Sequence, residues 1–399
     1  MTMEAIQITL PSSKSISNRW LVLDYLSQNG IRIKNLSTAD DTQLFKRLLR
    51  QARLGRRHTY DCRDAGTAAR FLIAILSVTP GTHYITGSPR LCQRPMGPLV
   101  DSLRSIGCKI EYSGEEGCLP MKIEGVVPTG NRIIIDGTQS SQFVSALLLA
   151  AAAMPTGMAV EVIGNDASAP YIRMTLDALE KSGIEYVYKG IPPAYFVSHT
   201  LPQVEMYSIE KDWSAASYFY NVTLLSDKEL NLHMSGLTYP SMQGDSAVFD
   251  IYAQLGIRSR TVGQAIEIDR SGDAVDIFEY DFHYAPDLFP SVAVACAAKG
   301  IETKLTGLEN LRLKESDRVE AVCTELKKLG VNVEMEGATM LIHPSTMQYK
   351  EPVDSHNDHR IAMAFATLKA RFPELEIQNP EVVSKSFPGF FEMLGRAID

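Results

Sequence analysis

Lys328-Leu329-Gly330-Val331-Asn332-Val333-Glu334-Met335 is the stretch that decides the fold: an apolar helix closes at Leu-Gly and the chain turns at once into an alternating run. Glycine accepts the left-handed backbone that ends a helix. Val331, Val333 and Met335 then fall on one face of a half-buried strand. The same ending recurs at Arg53-Leu54-Gly55, Ser105-Ile106-Gly107, Lys181-Ser182-Gly183, Gln254-Leu255-Gly256 and Met393-Leu394-Gly395. Helices ending in glycine occur in any α/β protein, but the spacing here is regular. From Gly107 to Gly183 it is 76 residues, from Gly256 to Gly330 it is 74, and from Gly330 to Gly395 it is 65. An α/β chain with six copies of one unit, in two groups of three, is therefore expected. No Gly- or Pro-rich linker separates the groups. The third helix closes at Gly183, its strand region runs out near Val204, and the next unit opens near Glu210-Lys211-Asp212, which makes that segment the hinge.

The bulk composition narrows the function. The chain has 399 residues, 45% hydrophobic and 22% charged, enough for a substantial core in two or three domains. A net charge of −8 argues against a broad nucleic-acid or anionic-membrane surface. The longest apolar run, Phe143 to Met154, is too short to span a bilayer and reads as a buried core helix. Met1 to Pro11 has no cationic region followed by an apolar stretch, so a cytoplasmic protein is expected. Cys62, Cys92, Cys108, Cys118, Cys296 and Cys323 form no CxxC pair and no zinc-like spacing, as expected of reduced, mostly structural thiols.

Against the acidic background, five motifs place a Lys or Arg beside small hydroxyl or amide groups. They are Lys14-Ser15-Ile16-Ser17-Asn18-Arg19, Gln93-Arg94-Pro95, Lys314-Glu315-Ser316-Asp317-Arg318, Asn357-Asp358-His359-Arg360 and Ser384-Lys385-Ser386. These are turn and cap contexts. They suit a small, multiply charged anion better than a solvated helix face. Some also have plainer readings. Lys314 to Arg318 equally describes a first helical turn whose acids favour the dipole, and Ser140-Ser141 an N-cap. Gly66-Thr67 equally describes a helix start, although exposed amides there also attract anions. Tyr171 after Pro170 equally describes a packed aromatic. His356 and His359 stand three residues apart with no third ligand, so no metal is expected.

Eleven motifs, in order from Pro11 to Leu394, resemble the 3-phosphoshikimate 1-carboxyvinyltransferase (EPSP synthase) family. Beside those above they include Asp64-Ala65-Gly66-Thr67-Ala68-Ala69-Arg70, Arg94-Pro95-Met96-Gly97, Ser140-Ser141-Gln142-Phe143, Pro170-Tyr171-Ile172, Asp212 to Tyr218, Met242-Gln243-Gly244-Asp245, Pro286-Asp287 and Lys385-Ser386-Phe387-Pro388. The resemblance implies a two-domain inside-out α/β barrel, each domain built of three βαβαββ-type repeats. Residues 13–211 would mainly bind shikimate 3-phosphate. Residues 1–12 with 212–399 would carry the catalytic and phosphoenolpyruvate-binding groups, with the active site in the cleft between the domains.

The implied reaction moves the enolpyruvyl group of phosphoenolpyruvate to the 5-hydroxyl of shikimate 3-phosphate and releases phosphate. Two phosphates and two carboxylates then meet in one place, and gathered cations offset their repulsion. By resemblance, Lys14, Gly66, Arg94, Gln142, Arg318, Arg360 and Lys385 hold phosphoenolpyruvate. Lys14, Ser15, Arg19, Ser140, Ser141, Gln142, Ser168, Tyr171, Asp287, Asn310 and Lys314 hold shikimate 3-phosphate, Arg19 and Tyr171 at the ring carboxylate or ring face. Lys14, Asp287 and Glu315 are the proton-transfer groups, Glu315 for the carbon protons and Asp287 for the attacking hydroxyl. The implied enzyme is a monomer that needs no cofactor and no metal, with two small-molecule substrates and neither nucleic-acid nor membrane partners.

The sequence departs from the family pattern at several places. Ser12 stands where Gly is usual, Arg63-Asp64 where Gly-Asn is usual, Phe71 replaces a common Pro or Leu, and Trp213 takes a normally small position. Asp64 is expected to oppose donor binding unless a cation neutralises it. The segment from Arg53 to Cys62 is short. Two other functions remain open at this level. One is a UDP-N-acetylglucosamine 1-carboxyvinyltransferase using a loop cysteine such as Cys92 or Cys118, and the other is a non-catalytic anion-binding homologue.

Overall fold

The computed structural model describes residues 5–55, 58–138, 140–164, 169–190 and 193–399. The chain forms two compact units: a discontinuous one of Met1–Ser13, Thr38–Asp40 and Glu210–Asp399, and an inserted one of Lys14–Ser37 and Asp41–Ile209.

Strand β1 (Ile6–Ile8) starts the discontinuous unit, and the chain then leaves for the inserted unit with α1 (Lys14–Leu26), β2 (Arg32–Lys34) and α2 (Asp40–Arg53). Two complete repeats follow. The first is β3 (Thr59–Asp61), α3 (Gly66–Ser77), β4 (Gly81–Thr86), α4 (Gly97–Ser105), β5 (Lys109–Tyr112) and β6 (Met121–Gly125). The second is β7 (Arg132–Asp136), α5 (Ser141–Ala151), β8 (Met158–Ile163), α6 (Ala169–Lys181), β9 (Tyr186–Lys189) and β10 (Ala194–Val197). Both fold into a four-stranded sheet of order first-second-fourth-third, with the first pair parallel and the last two strands a hairpin. Strand β11 (Met206–Ser208) returns to pair in parallel with β2.

The discontinuous unit repeats the scheme. α7 (Trp213–Leu225), β12 (Asn231–Ser235), α8 (Val248–Gln254), β13 (Ile257–Val262) and β14 (Ala265–Arg270) complete a sheet begun by β1. Next come β15 (Ile277–Asp281), α9 (Phe289–Lys299), β16 (Glu302–Thr306), α10 (Arg318–Lys328), β17 (Asn332–Glu336) and β18 (Thr339–His343). The last repeat has β19 (Val353–Asp354), α11 (His359–Ala366), β20 (Ile377–Gln378) and α12 (Phe390–Ile398). Each unit thus has two four-stranded sheets and one two-stranded sheet, and among the described residues none closes into a barrel.

The burial pattern explains why helices lie inside and sheets outside. Strands β7 and β18 alternate strictly between buried and more exposed residues, so each sheet offers one face to the core and one to water. Helices α3, α5, α7, α9 and α11 are buried almost all round. Their Ala- and Ser-rich sequences let them pack on one another, α3 on α5, and α9 on α7 and α11. The run Phe143 to Met154 is indeed such a core helix, α5 with its C-terminal turn. All six cysteines are free, and all but Cys92 are buried.

Gly55, Gly107, Gly183, Gly256 and Gly330 have positive φ and close helices as their sequence context requires. Gly395 does not: it lies inside α12, and the Leu-Gly pattern there marks the middle of an amphipathic helix rather than its end. The two kinds of glycine are separable by mutation. A Cβ at Gly256, φ +88°, would come within 2.6 Å of the Gly272 carbonyl oxygen, whereas one at Gly395 meets nothing within 4 Å. Gly256→Ala is expected to lose about 1–3 kcal/mol in urea unfolding, and Gly395→Ala to gain roughly 0.5 kcal/mol from reduced unfolded-state freedom. A neutral Gly256→Ala variant would show that the turn relaxes without strain.

Candidate active site

In the discontinuous unit, three helix starts bring their polar residues together. α9 follows the turn Pro286–Leu288, which carries Asp287, and packs against α10 and α11. Helix α10 is capped by Asp317, whose side chain accepts from the Glu320 amide at 3.0 Å, and this fixes Arg318 in its first turn. α11 is capped by Asp358, which accepts from the Arg360 amide at 2.9 Å.

Arg318 is the centre of this cluster and only 2% exposed. Its Nη1 donates to Asp287 Oδ1, its Nη2 to Glu315 Oε2 and its Nε to Asp358 Oδ2, each at 2.8 Å. Arg360 Nη2 reaches the other Asp287 oxygen at 2.6 Å, and Lys385 Nζ stands 3.8 Å from Glu315 Oε1. Burial works against the ionised form of Asp287, but Arg360, Arg318 and Lys314 outweigh it and hold its carboxyl well below the usual carboxylate range. For Arg318 burial also disfavours the charge, and Asp358, Glu315 and Asp287 more than restore it, raising its affinity for the proton.

A fourth acid borders the cluster. Asp245, in the turn Gly244–Ala247, is 4% exposed and accepts from the Ser214 hydroxyl. Burial, then repulsion from Asp287, pushes its carboxyl up to about 7, although Arg360 and Ser214 act in the opposite direction.

The inserted unit holds a second cluster, dominated by cations. α3 starts at Gly66 after Ala65, which provides no side-chain cap; the Gly66 amide donates to the Asp64 carbonyl at 3.0 Å, and the positive end of the helix dipole lies here. Arg94 and Arg70 lie across this start so closely that a Cβ on Gly66 would collide with the Arg94 guanidinium and come within 3.1 Å of Arg70 Nη1. Arg70 donates to Gln142 Oε1 at 2.6 Å and lies 5.2 Å from the Phe143 ring centroid. Two guanidiniums at the positive end of a helix make an anion-accepting corner. In the same unit Lys14 Nζ meets Asp41 Oδ2 at 3.3 Å, and Ser140 caps α5 by accepting from the Gln142 amide at 3.3 Å, with Ser141 buried in the first turn.

The chain matches the family profile described as EPSP synthase (3-phosphoshikimate 1-carboxyvinyltransferase) over residues 52–394. It belongs to the EPSP synthase family. A 3-phosphoshikimate 1-carboxyvinyltransferase from Bacteroides fragilis is 38% identical over 398 residues, 98% of this chain and 94% of the relative. One from Sulfurovum sp. is 34% identical over 414 residues, 97% and 95% of the two chains. Among solved structures, an EPSP synthase from Acinetobacter baumannii shares the fold with a TM-score of 0.76 at 23% identity, covering 98% of this chain and 95% of that one. The enolpyruvyl transferase NikO from Streptomyces tendae does so at 0.72 and 14%, covering 99% and 94%. The fold is that of the enolpyruvyl transferases.

Of the residues singled out from the sequence, the structure gathers Asp287, Glu315, Arg318, Arg360 and Lys385 in one cluster. Lys314 acts on Asp287 electrostatically, and Asn310 is half-buried in the turn Glu309–Leu313. Gly66, Arg94 and Gln142 meet around α3. Ser168 lies outside the described residues. Arg19, expected at a ring carboxylate, is buried and directs four N–H groups inward, to Thr175 Oγ1, Ser145 Oγ and the Ser15 and Tyr171 carbonyls. Ser15 and Tyr171 thus contribute their backbone oxygens to this lock, the Tyr171 side chain being half-buried. Asp64, expected to oppose an anion, is exposed and accepts from the Ser88 hydroxyl.

Sequence reasoning missed Asp358, Arg70 and Asp245, although all lie in quoted motifs. Asp358 carried a recognisable signal, an Asp directly before an apolar helix.

Asp245 has a measurable signature. Its folded value of about 7 lies above the ~3.9 of an unfolded Asp, so the folded state binds more protons between these values and stability falls as pH rises through that window. Asp287 is depressed, so its contribution is present above pH ~4 and is lost only as pH falls further. Asp245→Asn removes the first effect alone. The variant is expected to melt above wild type at pH 8 by about 2 °C or more, the shift produced by roughly 1 kcal/mol at this size, and the gap should close toward pH 4. Parallel melting curves across that range would show that Asp245 stays ionised.

Proposed function

We propose that this protein transfers the enolpyruvyl group of phosphoenolpyruvate to the 5-hydroxyl of shikimate 3-phosphate, giving 5-enolpyruvylshikimate 3-phosphate and phosphate. The observation that carries the reading is the Asp287–Arg318–Glu315 cluster with Arg360 and Lys385 on its acids, in a chain of the EPSP synthase family. It joins proton-transfer carboxylates to anion-binding cations. Both substrates are anions, and the reaction is a set of proton transfers around a carbon–oxygen bond.

In this reading the substrate hydroxyl loses its proton to Asp287 as its oxygen attacks C2 of phosphoenolpyruvate, while Glu315, with Lys14 as partner, protonates C3. Loss of phosphate and of a proton from the new methyl group then restores the enol ether. Arg94, Gly66, Gln142, Arg318, Arg360 and Lys385 hold the donor. Ser140, Ser141, Gln142, Ser168, Tyr171, Asn310, Lys314, Ser15 and Arg19 hold the acceptor. In this reading both clusters serve one reaction, so residues of 13–211 and of 212–399 act on the same substrate pair. We place the enzyme in the cytoplasm as a monomer needing no cofactor, metal, nucleic acid or membrane.

A cysteine-dependent enolpyruvyl transfer to a nucleotide sugar is disfavoured at Cys118 by the thiol itself. Cys118 is buried, and burial, then Glu115 and Cys92, pushes its thiol up, away from the reactive thiolate. The deciding assay is phosphate release from phosphoenolpyruvate with either shikimate 3-phosphate or UDP-N-acetylglucosamine. Release only with the nucleotide sugar would overturn the proposal, and release with neither would leave an anion-binding homologue.

Two substitutions separate chemistry from binding. Glu315→Gln should retain phosphoenolpyruvate affinity within a few-fold, yet lose about 10²–10⁴ in kcat by losing its proton-transfer group; near-normal turnover removes Glu315 from that role. Arg360→Ala should weaken phosphoenolpyruvate binding by about 2–3 kcal/mol, the cost of a charge-assisted contact, with shikimate 3-phosphate binding alone little changed. An unaltered donor dissociation constant by calorimetry would exclude Arg360 from the donor site.

A further inference from the structure

The turn that delivers Arg360 is strained. His356 and Asn357, consecutive and neither of them glycine, have φ of +50° and +53°, in the left-handed region that side chains disfavour. Such a conformation persists only where the surroundings over-determine it. Asn and His are among the non-glycine residues that enter it most readily, but two in succession still need support from their surroundings.

The hold comes from α10. Glu325 is fully buried, and it lies seven residues after Arg318, on the same face of the helix. Its Oε1 accepts from His356 Nε2 at 2.8 Å and from Lys328 Nζ at 2.9 Å, and its Oε2 from the Asp354 amide at 3.1 Å. The donors around this carboxylate fix the histidine tautomer with its proton on Nε2. Asp354 Oδ1 in turn accepts from the His356 amide at 2.8 Å, and the Asp358 amide donates to the Ser355 carbonyl at 2.9 Å. One helix therefore grips the turn on both sides, Glu325 before it and Arg318, through Asp358, after it.

We infer that His356 and Glu325 are positioning residues: their hydrogen bond keeps the left-handed turn 355–358 in place, and the turn aims Arg360 at Asp287 and the donor. The inference rests on the donor-binding role given to Arg360 above. Neither residue touches the cluster around Arg318 directly. Releasing His356 frees the turn to relax toward ordinary backbone, and Asp358 and Arg360 move with it.

The test uses His356→Ala, His356→Gln and the double variant His356→Ala/Asn357→Gly in the full chain. His356→Ala should raise KM for phosphoenolpyruvate about tenfold or more and leave KM for shikimate 3-phosphate within about twofold. Gln can return a donor to Glu325, so His356→Gln should restore most of the loss. Gly adopts positive φ freely, so Asn357→Gly should recover part of it in the Ala background. Amide exchange at residues 355–360 should speed up in His356→Ala whatever the substrate. Unchanged exchange and unchanged KM for the donor would overturn the inference, as would equal losses for both substrates or no rescue by Gln. Wild-type protein that does not turn over phosphoenolpyruvate would instead sink the functional reading, with the exchange measurement still judging the turn.

Discussion

A single guanidinium with almost no access to water, Arg318, has to satisfy three carboxylates, and the arrangement of the discontinuous unit follows from that demand. Burying a cation costs several kcal/mol unless its partners are well placed. Asp287, Glu315 and Asp358 come from three segments, and each is held by the start of a helix or the turn before it. The helices α9, α10 and α11 must therefore pack with these ends together. The small, apolar surfaces of α9 and α11 make that approach feasible.

The inserted unit handles charge in the opposite way. Around Gly66 the helix end, Arg94 and Arg70 are all positive, and the absent Cβ is what lets Arg94 approach so closely. Repulsion among these groups is relieved by an anion, so the corner gains most when one is bound. The cluster around Arg318 is nearly balanced in charge and supplies proton acceptors instead.

Most of the architecture was legible because it depends on local rules. Helix ends at Gly55, Gly107, Gly183, Gly256 and Gly330 need positive φ, which only glycine adopts without cost, and the strands β3, β5 and β17 that follow three of them alternate. Gly395 misled because a Leu-Gly pair inside an amphipathic helix looks the same in one dimension. Among the site residues, those in Ser-, Asn- and Pro-rich contexts were visible as out-of-place cations. Asp358 and Arg70 were not, since their importance comes from tertiary partners, Arg318 and Gln142, far away in sequence. The inward turn of Arg19 was hidden for the same reason. Its acceptors Ser145 and Thr175 come together only when α1, α5 and α6 pack.

The same electrostatics bear on the role proposed for Asp287 as a base. Arg360 and Arg318 hold its carboxyl far below the usual range, where it is ionised but a weak proton acceptor. An anion that binds Arg360 neutralises part of that field and competes for the guanidinium that Asp287 now engages. Both effects raise the basicity of Asp287, and repulsion from the anion also disfavours charge on Asp245, which already resists ionisation. Proton affinity at the site therefore rises with occupancy. In the proposed reaction, a donor anion on Arg360 would therefore make Asp287 a better base. That coupling follows from the charges alone, and it requires Arg360 to be shared between Asp287 and the ligand, an arrangement that the Asp358 cap and the turn before it keep in place.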